Sequence, residues 1–267
     1  MAIFDFNRLA YGVNEDDIVA RVLTYGPIKQ FNTSGGTSTS FKMDPPGRIA
    51  VKYEGEGFKY NAKGDPKQGT IESIQVTSKG HPEETFKITE LKVDIAALKA
   101  SGGLTLLSIF DGKDTFIGSR KDDKLSGFKG KDTMNGSDGH DSLDGGAGND
   151  VLNGGRHSDT LTGGVGKDTF IFDTAIKAGD NVDVITDFVA ADDTIKLDAG
   201  IFTNLGPAGV LDASHLVFGP STTSTPGNNI IYDQTTGDLY FDKGNKAILF
   251  AHLDGMPTIT HEDFVIV

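Results

Sequence analysis

The feature that most constrains this chain is a run of seven consecutive nine-residue units over residues 109–171, with no insertion. The sixth position of every unit is Asp: Asp114, Asp123, Asp132, Asp141, Asp150, Asp159 and Asp168. The eighth position is always a large apolar residue: Phe116, Leu125, Met134, Leu143, Leu152, Leu161 and Phe170. The first position is Gly in all units but the first. A short period of this kind predicts stacked copies of one small structural unit.

Each class of position has a physical reason. Gly adopts backbone angles with positive φ without steric cost, so several Gly per unit permit a tight repeated turn. The residues after each Asp are expected to form a very short strand whose apolar eighth position points inward. Successive units lie on opposite sides of the roll, so each unit stacks on the second unit after it, at a spacing of about 4.8 Å. The sequence therefore predicts a parallel β-roll.

This stacking places the Asp side chains in two ladders. Asp114, Asp132, Asp150 and Asp168 form the first side, and Asp123, Asp141 and Asp159 form the second side. Like charges at this spacing repel one another, and a hard divalent cation between turns reverses the sign of the interaction. Ca²⁺ accepts six to eight oxygens in flexible geometry, whereas Mg²⁺ demands a near-ideal octahedron. Three intervals on the first side and two on the second predict about five Ca²⁺ ions.

Backbone carbonyls of the turns are the expected partners of the Asp carboxylates at these sites. The carbonyls that we assign to this role belong to Gly112, Gly127, Gly130, Gly136, Gly139, Gly145, Gly146, Ala147, Gly148, Gly154, Gly155, Gly163, Gly164 and Gly166.

The distribution of charge agrees with a cation as partner. The formal net charge is −13, and all of the excess lies in residues 109–267, where 24 of the 25 acidic residues are Asp. Such acidity disfavours nucleic acid as a partner. No apolar stretch approaches the length of a transmembrane helix, and the chain contains no Cys.

The repeat resembles the RTX (repeat-in-toxin, hemolysin-type) calcium-binding proteins that bacteria export by type I secretion. The resemblance continues past the repeat. Residues 183–189 and 193–198 are similar to the segment that closes the β-roll in serralysin-type proteins, and residues 237–244 and 247–253 resemble a hairpin of the same region. Asp183, Asp187 and Asp193 are a candidate extra calcium site in this cap, so the cap adds to the expected ions. Residues 262–267 are similar to the family's uncleaved C-terminal export signal.

The resemblance implies a secreted, extracellular protein. The first residues show no basic segment followed by an apolar one, so no N-terminal signal peptide is expected, and type I export needs none. The type I secretion machinery is the expected partner at the C-terminal end. Low cytosolic Ca²⁺ keeps such a roll unfolded, and extracellular Ca²⁺ folds it by mass action.

The second side departs from the pattern. Ser119, Arg120 and Lys121 stand in the turn of the second unit, and Arg156 and His157 stand in the turn of the sixth. Side chains other than Gly in such turns cost strain, and cationic ones oppose Ca²⁺. We therefore expect weaker calcium binding on the second side.

Residues 1–108 lack the repeat. Alternating apolar residues predict strands over 49–60, 71–76 and 86–93, and a helix is expected near 15–24. The expected organisation is an N-terminal, mostly β domain with one or two helices over 1–108, the β-roll over 109–171, and a cap with antiparallel β structure and the export signal over 172–267.

Neither HExxH nor GxSxG occurs, so the zinc-protease and lipase branches of the family lack their catalytic motifs here, and no catalytic residue is assigned. The favoured interpretation is a non-catalytic calcium-binding protein that binds an extracellular polysaccharide or a cell surface. Two alternatives stay open: an extracellular hydrolase acting on polysaccharide, peptide or ester with an unrecognised N-terminal site, and a small toxin or bacteriocin.

Overall fold

A computed structural model describes residues 30–32, 39–43, 49–60, 66–78, 81–89, 93–94, 112–177, 179–220, 228–244 and 246–267. Side chains before Gly112 are described only at a few positions. The described residues contain 23 β-strands, two single-turn 3₁₀ helices (Ala213–His215 and His261–Asp263) and no α-helix. The expected helix near 15–24 lies outside the described residues. Within this part of the chain no helix is long and apolar enough to cross a membrane.

The first strands form an antiparallel sheet. They are β1 (Gln30–Asn32), β2 (Thr39–Met43), β3 (Ile49–Tyr60), β4 (Pro66–Ser78), β5 (His81–Thr89) and β6 (Val93–Asp94). Strands β1 to β5 pair in chain order, and β6 pairs with β4. The strand predicted over 49–60 is found with those bounds. The strand predicted over 71–76 is longer, and the one predicted over 86–93 is split between β5 and β6.

The repeat forms very short strands. They are β7 (Thr115–Ile117), β8 (Lys124–Ser126), β9 (Lys129–Gly130), β10 (Thr133–Asn135), β11 (Ser142–Asp144), β12 (Ala147–Gly148), β13 (Val151–Asn153), β14 (Thr160–Thr162) and β15 (Thr169–Phe172). Strands β7, β10, β13 and β15 pair in parallel on one face, and β8, β11 and β14 on the other. Each unit therefore stacks on the second unit after it, and the predicted parallel β-roll is confirmed.

The remaining strands close the roll. They are β16 (Asp183–Ile185), β17 (Thr194–Leu197), β18 (Gly209–Val210), β19 (Leu216–Phe218), β20 (Asn228–Asp233), β21 (Asp238–Lys243), β22 (Ala247–Leu253) and β23 (Phe264–Ile266). Strand β16 continues the second face and β17 the first, both in parallel. Strands β20, β21 and β22 form the antiparallel part of the cap, as expected.

Two long sheets result. The first runs from β1 through β5 to β7, β10, β13, β15, β17, β23 and β18, and the second runs from β19 through β22 to β16, β14, β11 and β8. Strand β5 pairs antiparallel with β7, so one sheet contains strands from both sides of the expected boundary at residue 108. The division of the chain into domains at residues 108 and 171 stays a prediction.

The core of the roll consists of two stacks of apolar side chains, one from each face, that meet between the faces. All seven apolar residues at the eighth position are at most 1% exposed, while the residues on either side of them point outward. Parallel, in-register pairing puts each of them directly over its counterpart two units away. These stacks lead into an aromatic cluster in the cap, where the ring centroid of Phe250 lies 5.2 Å from that of Phe172 and 4.9 Å from that of Phe202.

Candidate calcium-binding ladders

The position-6 Asp residues form two continuous hydrogen-bonded ladders. On the first side the backbone N–H of Asp132 donates to Oδ1 of Asp150 at 2.8 Å, and that of Asp150 donates to Oδ1 of Asp168 at 2.8 Å. On the second side the N–H of Asp123 donates to Oδ1 of Asp141 at 2.7 Å. Each bond links one turn to the next, because in-register stacking repeats the same geometry every 18 residues. The predicted assignment of the Asp residues to two sides matches this arrangement.

The second carboxylate oxygen of these residues lacks a hydrogen-bond donor. In the part of the chain that the structure describes, several ladder carboxylates bury an Oδ2 that accepts no hydrogen bond, among them Asp132, Asp141, Asp150, Asp159 and Asp168. A buried carboxylate oxygen without a partner is costly unless a proton or a cation compensates it. The orphaned oxygens therefore indicate that the ladders are built to accept a positive ligand.

Burial of the ladder carboxyls also raises their pKa values. Burial raises the pKa of Asp132 and Asp150 to about 7, and the charge of the preceding Asp in the ladder adds to this. Burial and the charges of Asp123 and Asp159 raise the pKa of Asp141 to about 9. The hydrogen bond from the neighbouring backbone N–H lowers each value, but burial outweighs it. Without a cation, the charged form of the ladder is therefore disfavoured.

The position-1 glycines leave room for a ligand beside each orphaned oxygen. A Cβ placed on Gly145 would lie 2.7 Å from Oδ2 of Asp150 and 2.7 Å from the carbonyl oxygen of Gly163. A Cβ on Gly127 would lie 2.6 Å from Oδ2 of Asp132 and 2.6 Å from the carbonyl oxygen of Gly145. A carboxylate oxygen and a carbonyl oxygen from the next turn thus face one small space. Only Gly keeps that space open.

The polar atoms nearest to these spaces are carboxylate and carbonyl oxygens, which fits a hard cation such as Ca²⁺. Among the described residues, no group of three or more His, Cys, Asp or Glu side chains converges on one point. A cation in the ladders would therefore need carbonyl oxygens to complete its coordination, as the sequence-based ligand set assumes. Of the carbonyls in that set, those of Gly146 and Gly155 also accept hydrogen bonds, from the backbone of Val165 and the hydroxyl of Thr174.

A family comparison agrees with this chemistry. The model of the RTX calcium-binding nonapeptide repeat, in four copies, matches residues 109–143 and residues 135–170. Residues 109–170 are RTX calcium-binding repeats.

The chain is also similar to two solved subunits of the Azotobacter vinelandii mannuronan C5-epimerase. The AlgE6R2 subunit is 22% identical with a TM-score of 0.36, and the match covers 54% of this chain and 88% of that one. The AlgE6R3 subunit is 20% identical with a TM-score of 0.26, and the match covers 58% of this chain and 77% of that one. No curated protein matches the chain.

The ladders continue beyond the RTX repeats. The backbone N–H of Asp159 donates to Oδ1 of Asp183 at 3.0 Å, and that of Asp168 donates to Oδ1 of Asp193 at 2.9 Å. Asp187 instead accepts the N–H groups of Gly163 and Gly164, at 2.8 Å each. The three acids that the sequence grouped as one candidate cap site are thus distributed: Asp183 extends the second side, and Asp193 extends the first. Spacings of 24 and 25 residues hide these two rungs from a search for a nine-residue period.

The strain expected in the second-side turns is found in the sixth unit but not in the second, where Ser119, Arg120 and Lys121 do not have positive φ. His157 has φ 75°, so a β-carbon is held in the left-handed region there. The N–H of Ser119 donates to Oδ2 of Asp123 at 2.5 Å, which supplies the protein hydrogen bond that the orphaned oxygens lack. Backbone strain on the first side was not expected from the sequence, but Phe128 has φ 63°.

The two arginines of the second-side turns share one acidic partner within the roll. Arg156 Nη1 lies 3.3 Å from Oδ1 of Asp138, and Arg120 Nε lies 3.9 Å from its Oδ2. All three residues occupy the third position of their units, 18 residues apart, so stacking sets them in one column. The signal was present in the sequence as an Arg–Asp–Arg alternation in every second unit.

Proposed function

We propose that this chain is a secreted calcium-binding protein whose RTX roll folds when Ca²⁺ binds to its Asp ladders. The supporting observation is the set of buried Oδ2 oxygens that accept no hydrogen bond from the described residues. Ca²⁺ between successive turns would be held by these oxygens and by the turn carbonyls, such as those of Gly145 and Gly163. The resulting attraction replaces repulsion between stacked carboxylates.

The repeat accounts for about five ions, three on the first side and two on the second. Asp183 and Asp193 each add one more interval, and each follows a rung that retains an orphaned oxygen. The complete roll would therefore take up about seven ions, with the second side weaker.

Calcium-dependent folding would restrict the folded protein to the outside of the cell. Type I export carries an unfolded chain, and extracellular Ca²⁺ near 10⁻³ M is sufficient for sites of this class. Residues 262–267 are similar to an export signal, and Phe264 and Ile266 within them are buried in β23. In this proposal the machinery engages the segment before the strand forms, and folding outside the cell then buries it.

The biological role that we propose is non-catalytic binding to an extracellular polysaccharide or a cell surface. The assigned chemistry of the described residues is metal coordination, and neither the serralysin nor the lipase motif occurs in the sequence. Ca²⁺-dependent turnover of a polysaccharide, peptide or ester substrate by the purified chain would overturn this role in favour of a hydrolase.

Circular dichroism of the full chain tests the folding proposal. The spectrum should gain β structure between a chelator and about 10 mM Ca²⁺, a concentration above the expected affinity range. Mg²⁺ at the same concentration is the control and should produce little change, because it gives up its water reluctantly. An identical β spectrum in chelator and in Ca²⁺ at neutral pH would overturn calcium-dependent folding.

A further inference from the structure

A polar cleft lies on the surface of the roll. It is found where the strands of the first sheet end and the turns of the second, fourth and sixth units begin. Its volume is about 360 Å³, within the range of small-ligand sites. Two columns of side chains line it: Arg120, Asp138 and Arg156 at the third position of their units, and Asn135 and Asn153 at the ninth, with Asp173 beyond them. The calcium ligands assigned above do not include any of these side chains.

The third-position column offers both donors and acceptors. Arg156 uses Nη1 toward Asp138, and its side chain is 73% exposed. Arg120 approaches the same carboxylate only at 3.9 Å and is 63% exposed. Two guanidinium groups with five N–H donors each thus share one carboxylate among the described residues, so most of their donors face the cleft or solvent.

The ninth-position column adds two side-chain amides, which can both donate and accept hydrogen bonds. Asn153 donates through Nδ2 to Oδ2 of Asp173 at 3.0 Å, and Oδ1 of Asn135 accepts the N–H of Ser137 at 2.9 Å. One amide has therefore used a donor and the other an acceptor. Each retains the complementary capacity for a ligand.

The charges in the cleft balance. The lining contains two guanidinium groups and the two carboxylates of Asp138 and Asp173, and the remaining lining side chains are Ser, Thr and Asn, with Gly beside them. A free anion meets two carboxylates there, and an apolar ligand finds no aromatic or large aliphatic surface. Hydroxyl groups both donate and accept hydrogen bonds, so a polyhydroxylated ligand matches this lining best.

The repeat of the roll gives the cleft a direction. Polar groups recur along it at the strand spacing of about 4.8 Å, so a ligand that extends over several turns meets a polar partner at each. A chain of sugar residues has both the hydroxyl groups and the linear repeat for such a surface.

We propose that this cleft binds an extended oligosaccharide through its hydroxyl groups. Arg120 and Arg156 act as donors, Asp138 and Asp173 as acceptors, and Asn135 and Asn153 as both. This inference rests on the binding role proposed above and names its ligand class. Because the two columns come together only when the units stack, binding requires the folded, calcium-loaded roll.

Isothermal titration of the full chain with cellohexaose and chitohexaose, at about 10 mM Ca²⁺, tests the proposal. We expect saturable binding of at least one of these neutral probes, unchanged between low and high salt. Arg156→Gln and Asn153→Ala should each weaken it on the order of tenfold, the effect of losing about one hydrogen bond to a charged or buried partner. Lys167→Gln is the matched control, since Lys167 is an exposed cation paired with Asp192 outside the cleft.

NMR chemical-shift changes in the unsubstituted chain locate the ligand without relying on a variant. Shifts centred on the two columns support the proposal. It is overturned if neither neutral probe binds, if the probes bind equally well to all variants, or if only hexagalacturonate binds and salt abolishes it. Circular dichroism of the same samples separates the two proposals, because a folded roll that binds no sugar refutes only the ligand assignment.

Discussion

The backbone N–H of Asp132 donates to Oδ1 of Asp150 at 2.8 Å, and Oδ2 of Asp150 lies buried without a donor among the described residues. One carboxylate therefore has two different tasks. Its first oxygen joins the stacked turns, and its second oxygen is available for a cation. The ladder is a structural element and a metal site at once.

Asp150→Asn should separate these two tasks. The amide keeps an oxygen for the Asp132 N–H and removes the buried charge, while its NH₂ group can face the carbonyl oxygen of Gly163. We expect the metal-free roll to become more stable by about 1 kcal/mol, because an unsatisfied buried charge is lost. Calcium affinity should fall by at least about tenfold, since a ligand charge is lost as well. Calcium titration followed by circular dichroism measures both effects.

Asp144→Asn is the matched control for this experiment. Asp144 belongs to the same roll, but its side chain is exposed and points outward from β11. The same loss of charge there should leave the calcium midpoint nearly unchanged. Equal effects of the two substitutions would show that net charge, rather than ladder coordination, controls folding.

Asp123→Asn should reduce calcium affinity less than Asp150→Asn does. The carboxylate of Asp123 already accepts hydrogen bonds from Ser119, at 2.5 Å from the N–H and 3.3 Å from the hydroxyl, so less of its capacity is left for Ca²⁺. Asp150 lies between two rungs of the first side, whereas Asp123 is the first repeat rung of the second. Calcium titrations of the two variants under identical conditions compare them, and a larger loss for Asp123→Asn would contradict the asymmetry of the sides.

The sequence was sufficient to predict the roll, its register and its core because the nine-residue period leaves almost no freedom. Once Leu143 is assigned inward, every position in its unit has a fixed direction, and stacking on every second unit follows. The second-side departures at Ser119 and His157 could also be located, since they interrupt an otherwise regular pattern. Local chemistry and repetition carried this part of the prediction.

Other features could not be predicted, because they depend on contacts outside the nine-residue period. Asp183 and Asp193 extend the ladders at irregular spacings, because the connecting segments around Asp187 differ in length from a repeat. The pairing of Arg156 with Asp138 follows from the column geometry only after the turns are built. The junction of β5 with β7 is a long-range pairing between unrelated sequences, which local propensity does not determine.

Gly148→Ala should destabilise the calcium-loaded roll strongly. Gly148 has φ 154°, and an added Cβ would collide with the carbonyl of Gly130 in the turn below. Gly112 has the same position in its unit, but a Cβ there meets no described atom within 4 Å. We expect a loss of about 2–3 kcal/mol for Gly148→Ala, from strain and overpacking, and little change for Gly112→Ala. Thermal unfolding in Ca²⁺ measures the difference, and similar melting temperatures would contradict the close packing of the turns.

Asp193→Asn should remove one calcium ion from the first side. The site rests on Oδ2 of Asp168, which lies orphaned below Asp193. The carboxylate of Asp193 itself accepts the N–H of Asp168 at 2.9 Å and that of Val189 at 2.8 Å, so this is the weakest ion of the first side. Native mass spectrometry of the calcium-loaded full chain should count one ion fewer than in the unsubstituted protein. Asp192→Asn is the control, because the neighbouring carboxylate is exposed and pairs with Lys167. An unchanged ion count in Asp193→Asn would show that the metal sites do not extend beyond the last RTX repeat.

Acid should substitute for calcium in folding the roll. The ordinary pKa of Asp is 3.8, and burial raises it to about 7 in Asp132 and to about 9 in Asp141 in the metal-free fold. The folded state thus binds protons more tightly than the unfolded state, so their contribution to stability is fully present below pH 3.8 and is lost as pH rises through 7 and 9. Circular dichroism in chelator should show more β structure near pH 4 than at pH 9. The calcium concentration for half-folding should fall as the solution is acidified from pH 9, because bound protons already stabilise the folded roll and less Ca²⁺ is then needed. A metal-free chain that gains β structure with increasing pH would refute the assignment of buried, uncompensated carboxylates as the barrier to folding.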